Sequence, residues 1–268
     1  MPFKAWLTET LGIKVPIFGV NITMLPAMNA PDYLAYAKAA VEEGIRIVET
    51  AGNPEPILKY LKSNGVIVIH KCVSLDHALK AQAKGVDCFS IDGCIECAGH
   101  GGEYDTTSMI LLGRCAQELK IPFLASGGFC DGKGLAMALV LGAQGINMGT
   151  RWMCTIESSI HQNVKEAIIK MDENGTILVL RKFRNTTRLA RNEVTLEVHK
   201  IENSKLEPQF QEVAHLMSDI NAGVWSVVLA AGLIKFIPTC KDLTRIIERE
   251  AVESLSKASS LYTNRPNL

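Results

Sequence analysis

Hydrophobic and polar positions follow a repeated two-part pattern along the first 172 residues of the chain. A short apolar run rich in β-branched residues precedes a longer segment with apolar residues at helical spacing, which often ends at glycine. Residues 17–25 and 32–44 are the first such pair. Five more pairs follow, at 45–52 and 54–65, 66–72 and 74–85, 86–93 and 106–120, 121–129 and 131–142, and 143–153 and 158–171. The pattern predicts six strand–helix units.

The predicted strands are continuous apolar runs, which is typical of a parallel sheet covered by helices. Nearly every strand ends in polar or glycine residues: Asn21, Glu49 with Thr50, His70 with Lys71, Asp92 with Gly93, Ser126 with Gly127 and Gly128, and Asn147 with Gly149 and Thr150. An open sheet concentrates its ligand groups at one switch point, whereas a barrel gathers them from all its strands. The pattern therefore predicts an α/β fold, a TIM-type parallel (β/α) barrel.

The strand–helix pattern ends near residue 172. Residues 173–194 are basic, 219–237 have the composition of an apolar helix with glycine and tryptophan, and a charged helix follows at the C-terminus. We expect two parts: a barrel core at 1–172, and a helical appendage at 173–268 that packs on the barrel and could cover its mouth.

Charge and composition narrow the class of partner. The 28 basic and 28 acidic residues cancel and are interspersed, which argues against nucleic acid or an anionic membrane and favours a small molecule. The N-terminus lacks the features of a secretory signal, and no apolar run reaches the roughly 18 residues that span a bilayer. We therefore expect a cytoplasmic protein whose eight cysteines are reduced, most of them small core residues.

Two late strand ends predict a phosphate site. Ser126, Gly127 and Gly128 end one strand, and Asn147, Gly149 and Thr150 end the next. The loops after the last two strands of such barrels commonly hold phosphate through backbone N–H groups and a helix N-terminus. The alternative interpretation is that both segments are ordinary strand-to-helix turns. Because two such segments follow one another, the phosphate site is favoured over this alternative.

Two further segments carry candidate chemistry. Since strand side chains alternate, either His70 or Lys71 faces the barrel axis, where a lysine can hold a flavin's polar edge or a substrate anion, or simply reach water.

The Cys94–Cys97 pair has no second pair at zinc-binding spacing, so we set a metal site aside. His100 lies in a glycine-rich loop at the expected catalytic end, which makes it a candidate for proton transfer or binding.

Several segments together resemble the nitronate monooxygenase family, formerly called 2-nitropropane dioxygenases. They are "FGVNITMLPA", "VIHKC", "SIDGCIECAGHGGEYD", "IPFLASGGFCDGKGLAMALVLGAQGINMGTRWM" and "RNTTRLARN". The resemblance extends from about residue 18 to at least residue 232 and looks closest to a branch that includes FMN-dependent NADH:quinone reductases.

The resemblance implies a barrel that holds FMN non-covalently. Asn21 and Lys71 would contact the flavin ring region, and His100 would be the catalytic histidine beside it. The FMN phosphate would be held by Gly127, Gly128, Gly149 and Thr150, while Ser126 and Asn147 belong to the same motifs with less defined roles.

One departure from the family concerns the N-terminal part of the barrel. Family members carry a glycine-rich loop, a helix, a strand and a second helix between "GIKVPI" and "FGVN", whereas here Ile17 is followed directly by Phe18. The six predicted units are therefore two short of eight, and we expect an incomplete barrel with exposed strand edges.

The expected activity is oxidation of alkyl nitronates by molecular oxygen on FMN. NADH-dependent quinone reduction on the same flavin is the alternative. A hypothesis of another class is a non-catalytic shortened variant that acts only by association, as a homo-oligomer or with a longer partner.

Overall fold

Nine strands are present in the computed structural model, which describes residues 20–24, 30–93, 96–100, 104–203, 220–221 and 223–263, without the side chains of 99, 100, 262 and 263. They are β1 Val20–Met24, β2 Ile47–Gly52, β3 Ile67–Cys72, β4 Cys88–Asp92, β5 Gly99–His100, β6 Phe123–Ser126, β7 Ile146–Asn147, β8 Thr176–Val179 and β9 Thr187–Ala190. Six of them form one parallel sheet in the order β1-β2-β3-β4-β6-β7.

The described α-helices connect and cover these strands. They are α1 Tyr33–Glu42, α2 Glu55–Ser63, α3 Leu75–Lys84, α4 Ser108–Glu118, α5 Gly132–Val140, α6 Thr150–Met153, α7 Gln162–Lys170, α8 Glu193–Asn203 and α9 Cys240–Thr263. Short side-chain caps fix several helix starts, as where Asp32 accepts from Ala35 N at 2.9 Å. The six predicted strand–helix units are confirmed, and the predicted helix after the last strand is α7, with the short α6 inserted before it.

The main core lies between the sheet and its helices. Strand residues Val48, Val68 and Phe89 are fully buried there, and they pack with helix residues such as Leu61 and Leu112. Because side chains alternate along a strand, every second residue of the sheet points the other way, into a separate interior. A small cluster of Ile69, Cys88 and Leu124 marks that second face, the inner face of a barrel wall.

The barrel is not closed within the described residues. Strands β1 and β7 are the two edges of the sheet, and no described strand joins them. Asn21 and Thr23 on β1 are exposed although they point to the inner face. The expectation of a parallel α/β barrel with about six of eight strands is thus confirmed.

A second, antiparallel sheet contains strands that the sequence pattern did not predict. It has the order β5-β9-β8, with His100 opposite Thr187 and Gly99 opposite Arg188. The basic stretch expected to belong to a helical appendage is therefore largely a β-hairpin. β8 and β9 are each only four residues long; they pair with each other, and β9 also pairs with Gly99 and His100.

The prediction of a helix across 219–237 is wrong for residues 223–228, which are described and are not helical. Only a short 3₁₀ helix, Leu229–Leu233, follows them. The backbone of this segment bonds instead to other parts of the molecule. Trp225 O accepts from Ala190 N at 2.9 Å, and Val228 N donates to Thr150 Oγ1 at 3.0 Å. These contacts replace the hydrogen bonds that a helix would have formed within the segment.

The C-terminal helix α9 packs against α5 of the barrel wall. A Cβ on Gly132 would lie 2.4 Å from both Glu250 Cβ and Ile247 O, and Gly132 N donates to Glu250 Oε2 at 3.1 Å. Only glycine permits this approach.

The division into 1–172 and 173–268 stays a prediction. Among the described helices, none is both long and apolar enough to span a membrane.

Candidate functional site

Polar side chains gather on the inner face of the barrel wall toward the C-terminal ends of its strands. Strand alternation places them there together: Asn21 on β1, Glu49 on β2, Lys71 on β3, Ser90 and Asp92 on β4, and Asn147 on β7. The deeper part of the same face is apolar, formed by the Ile69 cluster. This is the end of a barrel at which active sites form.

Glu49 is the centre of a hydrogen-bonded network across this face. Its Oε2 accepts from Asn21 Nδ2 at 2.6 Å, and its Oε1 accepts from Asn147 Nδ2 at 2.8 Å. Asn147 Nδ2 also donates to Ser90 Oγ at 3.0 Å, and Thr23 Oγ1 donates to Asn21 Oδ1 at 2.7 Å. One carboxylate therefore orients both asparagines that the sequence singled out.

Lys71 faces the inner side, and His70 faces the helices. Lys71 Nζ lies 3.3 Å from Asp92 Oδ2, and its side chain remains 30% exposed. Burial alone would lower the pKa of Lys71, but the carboxylates of Asp92 and Glu49 outweigh it and raise that pKa above its ordinary value. The inner face thus carries a stable ammonium group that solvent or a ligand can reach.

His70 belongs to the opposite, helix-facing side of β3. Its Nδ1 lies 2.8 Å from Thr50 Oγ1, and burial, with positive charge at Lys84 and His77, lowers its pKa to about 4. His70 is therefore neutral near pH 7, and it lies on the face of β3 opposite the polar network. Of the two residues that the sequence left open, Lys71 is the one on the candidate site.

Gly127 and Gly128 allow the loop after β4 to lie directly on the loop after β6. Their φ angles are +74° and +87°, in the left-handed region. A Cβ on Gly127 would lie 2.9 Å from Cys97 Cβ, and one on Gly128 would lie 2.8 Å from Glu96 Cβ. Both glycines therefore have a packing role, which holds whether or not their N–H groups also face a ligand.

Glu96 fixes the loop in this position. Both of its carboxylate oxygens lie 3.2 Å from Ser108 N at the start of α4, and Ser108 Oγ donates to Gly127 O at 3.0 Å. Glu96 O accepts from Leu229 N at 2.9 Å. Burial raises the pKa of Glu96 despite these bonds. The loops after β4 and β6, the start of α4 and the C-terminal segment thus form one connected assembly.

The other predicted phosphate residues lie at the ends of β6 and β7. Ser126 is buried opposite Asp92 in the sheet register. Gly149 is exposed, and among the described residues other than its chain neighbours, no atom lies within 4 Å of the position that a Cβ on it would take. The buried Thr150 accepts from Val228 N. The open space beside Gly149 distinguishes it from Gly127 and Gly128.

His100 is placed by its backbone alone. It pairs with Thr187 of β9, so it lies where the antiparallel sheet meets the loop after β4. Its side chain is outside the described residues, as are Cys94 and residues 101–103. Its catalytic role stays a prediction. In the described part of the chain, no group of three or more His, Cys, Asp or Glu could hold a metal ion.

Sequence reasoning missed Glu49, Ser90 and Asp92 as members of the site. Glu49 and Asp92 were visible as polar residues at strand ends, but their partners depend on register across the sheet. Asp92 is also unusual because its buried Oδ1 has no hydrogen-bond partner among the described residues. The seven cysteines described are free thiols and six are buried, which confirms that most are core residues.

A parallel α/β barrel with polar side chains gathered at the C-terminal ends of its strands has the architecture of a barrel enzyme. Comparison with known proteins identifies the family. A family model described as nitronate monooxygenase matches residues 20–250. The chain belongs to the nitronate monooxygenase family, as the resemblance predicted.

Two similar proteins are oxidoreductases by name. A "(3aS,4S,5R,7aS)-5-hydroxy-7a-methyl-1-oxo-octahydro-1H-indene-4-carboxyl-CoA dehydrogenase" of Mycobacterium tuberculosis is 27% identical over 305 residues, covering 96% of this chain and 84% of the relative. A nitronate monooxygenase of Neurospora crassa is 29% identical over 289 residues, covering 94% and 71%. Both alignments are longer than the 268-residue chain, so both relatives have residues with no counterpart here.

Solved structures agree with the fold. FabK from Thermotoga maritima has a TM-score of 0.81 at 28% identity, covering 95% of this chain and 82% of its own. A nitroalkane oxidase from Streptomyces ansochromogenes has a TM-score of 0.75 at 18% identity, covering 90% and 82%, and supports the fold alone.

Proposed function

We propose that the chain is an FMN-dependent oxidoreductase that oxidises alkyl nitronates with molecular oxygen. Membership of the nitronate monooxygenase family supports the reaction class. The observation that supports the site most directly is the inner-face network, in which one ammonium group and two oriented carboxamides lie beside an apolar cluster. A flavin combines an apolar ring system, a polar ring edge and an anionic phosphate.

The residues present fit this cofactor. Lys71, which is partly exposed, can donate to the polar edge of the flavin ring, and the amides of Asn21 and Asn147 lie on the same face. Asp92 Oδ1, buried and without a described partner, is an acceptor available to a donor of a bound molecule. Gly149 has free space for an anion among the described residues; Gly127 and Gly128 lie in the loop that follows Ser126 at the end of β6, and Thr150 begins α6.

Within the proposed site, FMN would supply the redox chemistry, accepting electrons from the nitronate and passing them to oxygen. The chain would bind and orient both molecules. Lys71 keeps its proton at neutral pH because two carboxylates lie near it, so it offers a fixed positive charge to an anionic substrate. A nitronate already carries its negative charge, so proton abstraction is unnecessary, and His100 would orient or stabilise the anion.

The activity is tested with purified chain reconstituted with FMN. Oxygen uptake is measured with propionate 3-nitronate; separately, flavin bleaching is measured with NADH alone in the absence of air, and benzoquinone is then added to reoxidise the flavin. We expect oxygen uptake on the nitronate. Rapid bleaching by NADH without oxygen uptake on the nitronate would instead support the NADH:quinone reductase alternative.

A non-catalytic role through association has one supporting observation. β1 exposes Asn21, Thr23 and Val20, and its outer edge pairs with no described strand. Such edges favour association with another chain. Size-exclusion chromatography with absorbance detection separates the two ideas: a yellow protein of defined size supports the enzyme, and a colourless associated species supports the other role.

A further inference from the structure

Glu49 fixes which end of two carboxamide groups is turned toward it on the inner face. A carboxylate only accepts hydrogen bonds, so the group that each asparagine directs at Glu49 must be its NH₂ group. Asn21 Nδ2 lies 2.6 Å from Glu49 Oε2, and Asn147 Nδ2 lies 2.8 Å from Glu49 Oε1. The orientation of both amides is therefore set by the chemistry of one side chain.

Asn147 is left with an acceptor and no donor. Its Nδ2 carries two hydrogens, one directed at Glu49 and the other at Ser90 Oγ, which lies 3.0 Å away. The remaining polar atom of the side chain, Asn147 Oδ1, accepts no hydrogen bond from any other described residue. The oxygen of the other amide is already used, because Asn21 Oδ1 accepts from Thr23 Oγ1 at 2.7 Å. Asn147 Oδ1 is thus the oriented acceptor that remains for a bound molecule.

A second acceptor without a donor lies in the same row of the sheet. Asp92 on β4 pairs with Ser126 on β6, and Ser126 pairs with Asn147 on β7, so the three side chains share the inner face at one level. Asp92 is buried, and its Oδ1 has no partner among the described residues, while its Oδ2 lies 3.3 Å from Lys71 Nζ. Buried polar atoms are rarely left unpaired, so this row has places for hydrogen-bond donors of a bound molecule.

We propose that Glu49 is a positioning residue that gives the site its preference for a ring with an N–H group. By holding the NH₂ groups of Asn21 and Asn147, it presents Asn147 Oδ1 as an acceptor in the row that contains Asp92. The inference deepens the proposed function and rests on it: the ring system of oxidised FMN has a single N–H group, at N3 of its pyrimidine part, and Asn147 Oδ1 accepts from that group. A carboxamide released from Glu49 can turn over and oppose this N–H with its own NH₂ group.

The test compares FMN with 3-methyl-FMN, in which a methyl group replaces the hydrogen at N3. Binding of each flavin to the purified full chain is followed by quenching of flavin fluorescence. We expect the wild-type chain to bind FMN about tenfold or more tightly than the methylated flavin, because methylation removes the donor and leaves a buried acceptor unpaired. Glu49→Gln should reduce this preference to about threefold or less. Glu42→Gln, which changes an exposed carboxylate at the end of α1, should keep it.

Exchanging the two groups separates polarity from stability. In the double variant Glu49→Gln with Asn147→Asp, the net charge of the inner face is unchanged. The glutamine oxygen can still accept from Asn21 Nδ2, and its NH₂ group can donate to the new carboxylate, whose second oxygen takes the place of Asn147 Oδ1. We expect the double variant to regain the preference for FMN that Glu49→Gln loses. A role of Glu49 in stability alone predicts no recovery.

A direct measurement of the hydrogen bond excludes a purely steric effect of the methyl group. In ¹H–¹⁵N spectra of bound FMN labelled with ¹⁵N at N3, a hydrogen-bonded N–H exchanges slowly with water and gives a signal. We expect this signal in the wild-type chain and in the double variant, and its loss in Glu49→Gln.

Three outcomes would overturn the inference while leaving the flavin proposal intact. They are FMN binding without preference over 3-methyl-FMN in the wild-type chain, an equal preference in the wild-type and Glu49→Gln chains, and no recovery in a double variant that circular dichroism shows to be folded. Absence of binding of either flavin to the wild-type chain would overturn the proposed function itself, and this inference with it.

Discussion

Glu49 Oε1 accepts a hydrogen bond from Asn147 Nδ2 at 2.8 Å, although 98 residues separate the two in sequence and they lie on β2 and β7. The second oxygen of the same carboxylate holds Asn21 on β1. Since β1 and β7 are the two edges of the sheet, the sheet must curve strongly enough to bring them to one side chain. A single residue thus connects both edges of the incomplete barrel across its inner face.

Replacing Glu49 with Gln tests this connection. Glutamine has one acceptor and one NH₂ group, so one of the two asparagine donors would face another donor unless it turned away. We expect Glu49→Gln to lower the free energy of unfolding by about 1–2 kcal/mol in urea denaturation. Glu42→Gln, an exposed carboxylate at the end of α1, is the control. Equal stability of the two variants would mean that the bridge contributes nothing.

Gly127→Ala tests the close contact between the loops after β4 and β6. The new methyl group would require an L residue at φ +74° and would lie 2.9 Å from Cys97 Cβ. We expect a loss of about 2–4 kcal/mol in thermal or urea unfolding, from backbone strain and overpacking together. At Gly113 in α4, the added carbon of Gly113→Ala would have no described atom from outside the local helix backbone within 4 Å, and this change should instead stabilise the helix by about 0.5–1 kcal/mol. A Gly127→Ala chain of undiminished stability would contradict the described packing.

His70 predicts a dependence of stability on pH. Its pKa is about 4 in the folded chain against an ordinary value of 6.5. Below pH 6.5 the unfolded chain binds a proton that the folded chain does not, so stability falls with pH down to about 4 and then no further from this group. Between pH 7 and pH 5, we expect a loss of about 2 kcal/mol from His70.

The measurement is urea denaturation of wild-type, His70→Gln and His199→Gln chains at both pH values. His199 is exposed on α8 and serves as the control. Only His70→Gln should show a flatter pH profile. If its stability falls with pH as steeply as that of the wild-type chain, the buried histidine is not the cause.

The strand–helix units were predictable because each needs only local information. The apolar run 66–72 and the helical spacing of 74–85 each describe one element, and β3 and α3 follow directly. The position of Lys71 at a strand end was visible for the same reason. Its orientation was not, because alternation alone leaves the choice between His70 and Lys71 open until the partners on either side are known.

Features that depend on distant residues were missed. β8 and β9 are short, and they are strands because β9 pairs with both β8 and β5. Segment 223–228 was expected to be helical from its apolar composition, but its backbone groups bond to Ala190 and Thr150. The bridge by Glu49 requires the curvature of the whole sheet, which no local pattern encodes.

The role of His100 is testable by a conservative substitution. His100→Asn should leave FMN bound, because the proposed phosphate residues lie on other strands, and it should change turnover. Loss of a proton-transfer group costs on the order of 10² to 10⁴ in kcat, whereas loss of an orienting hydrogen bond acts more on KM. For a nitronate we expect the larger change in KM. Unchanged kcat and KM would make His100 idle, and loss of FMN would make it structural; His199→Asn is the matched control.

The central claim, that the inner face of this incomplete barrel holds FMN, is tested most directly by titrating the purified chain with FMN and following quenching of flavin fluorescence. We predict saturation near one FMN per chain, with Lys71→Met weakening binding about tenfold or more through loss of a charge-assisted contact. Gly149→Asp should weaken it further by placing a negative charge in the open space proposed for the phosphate, and the exposed Lys38→Met should have no effect. Absence of saturable binding, or equal affinity in all four chains, would contradict the account.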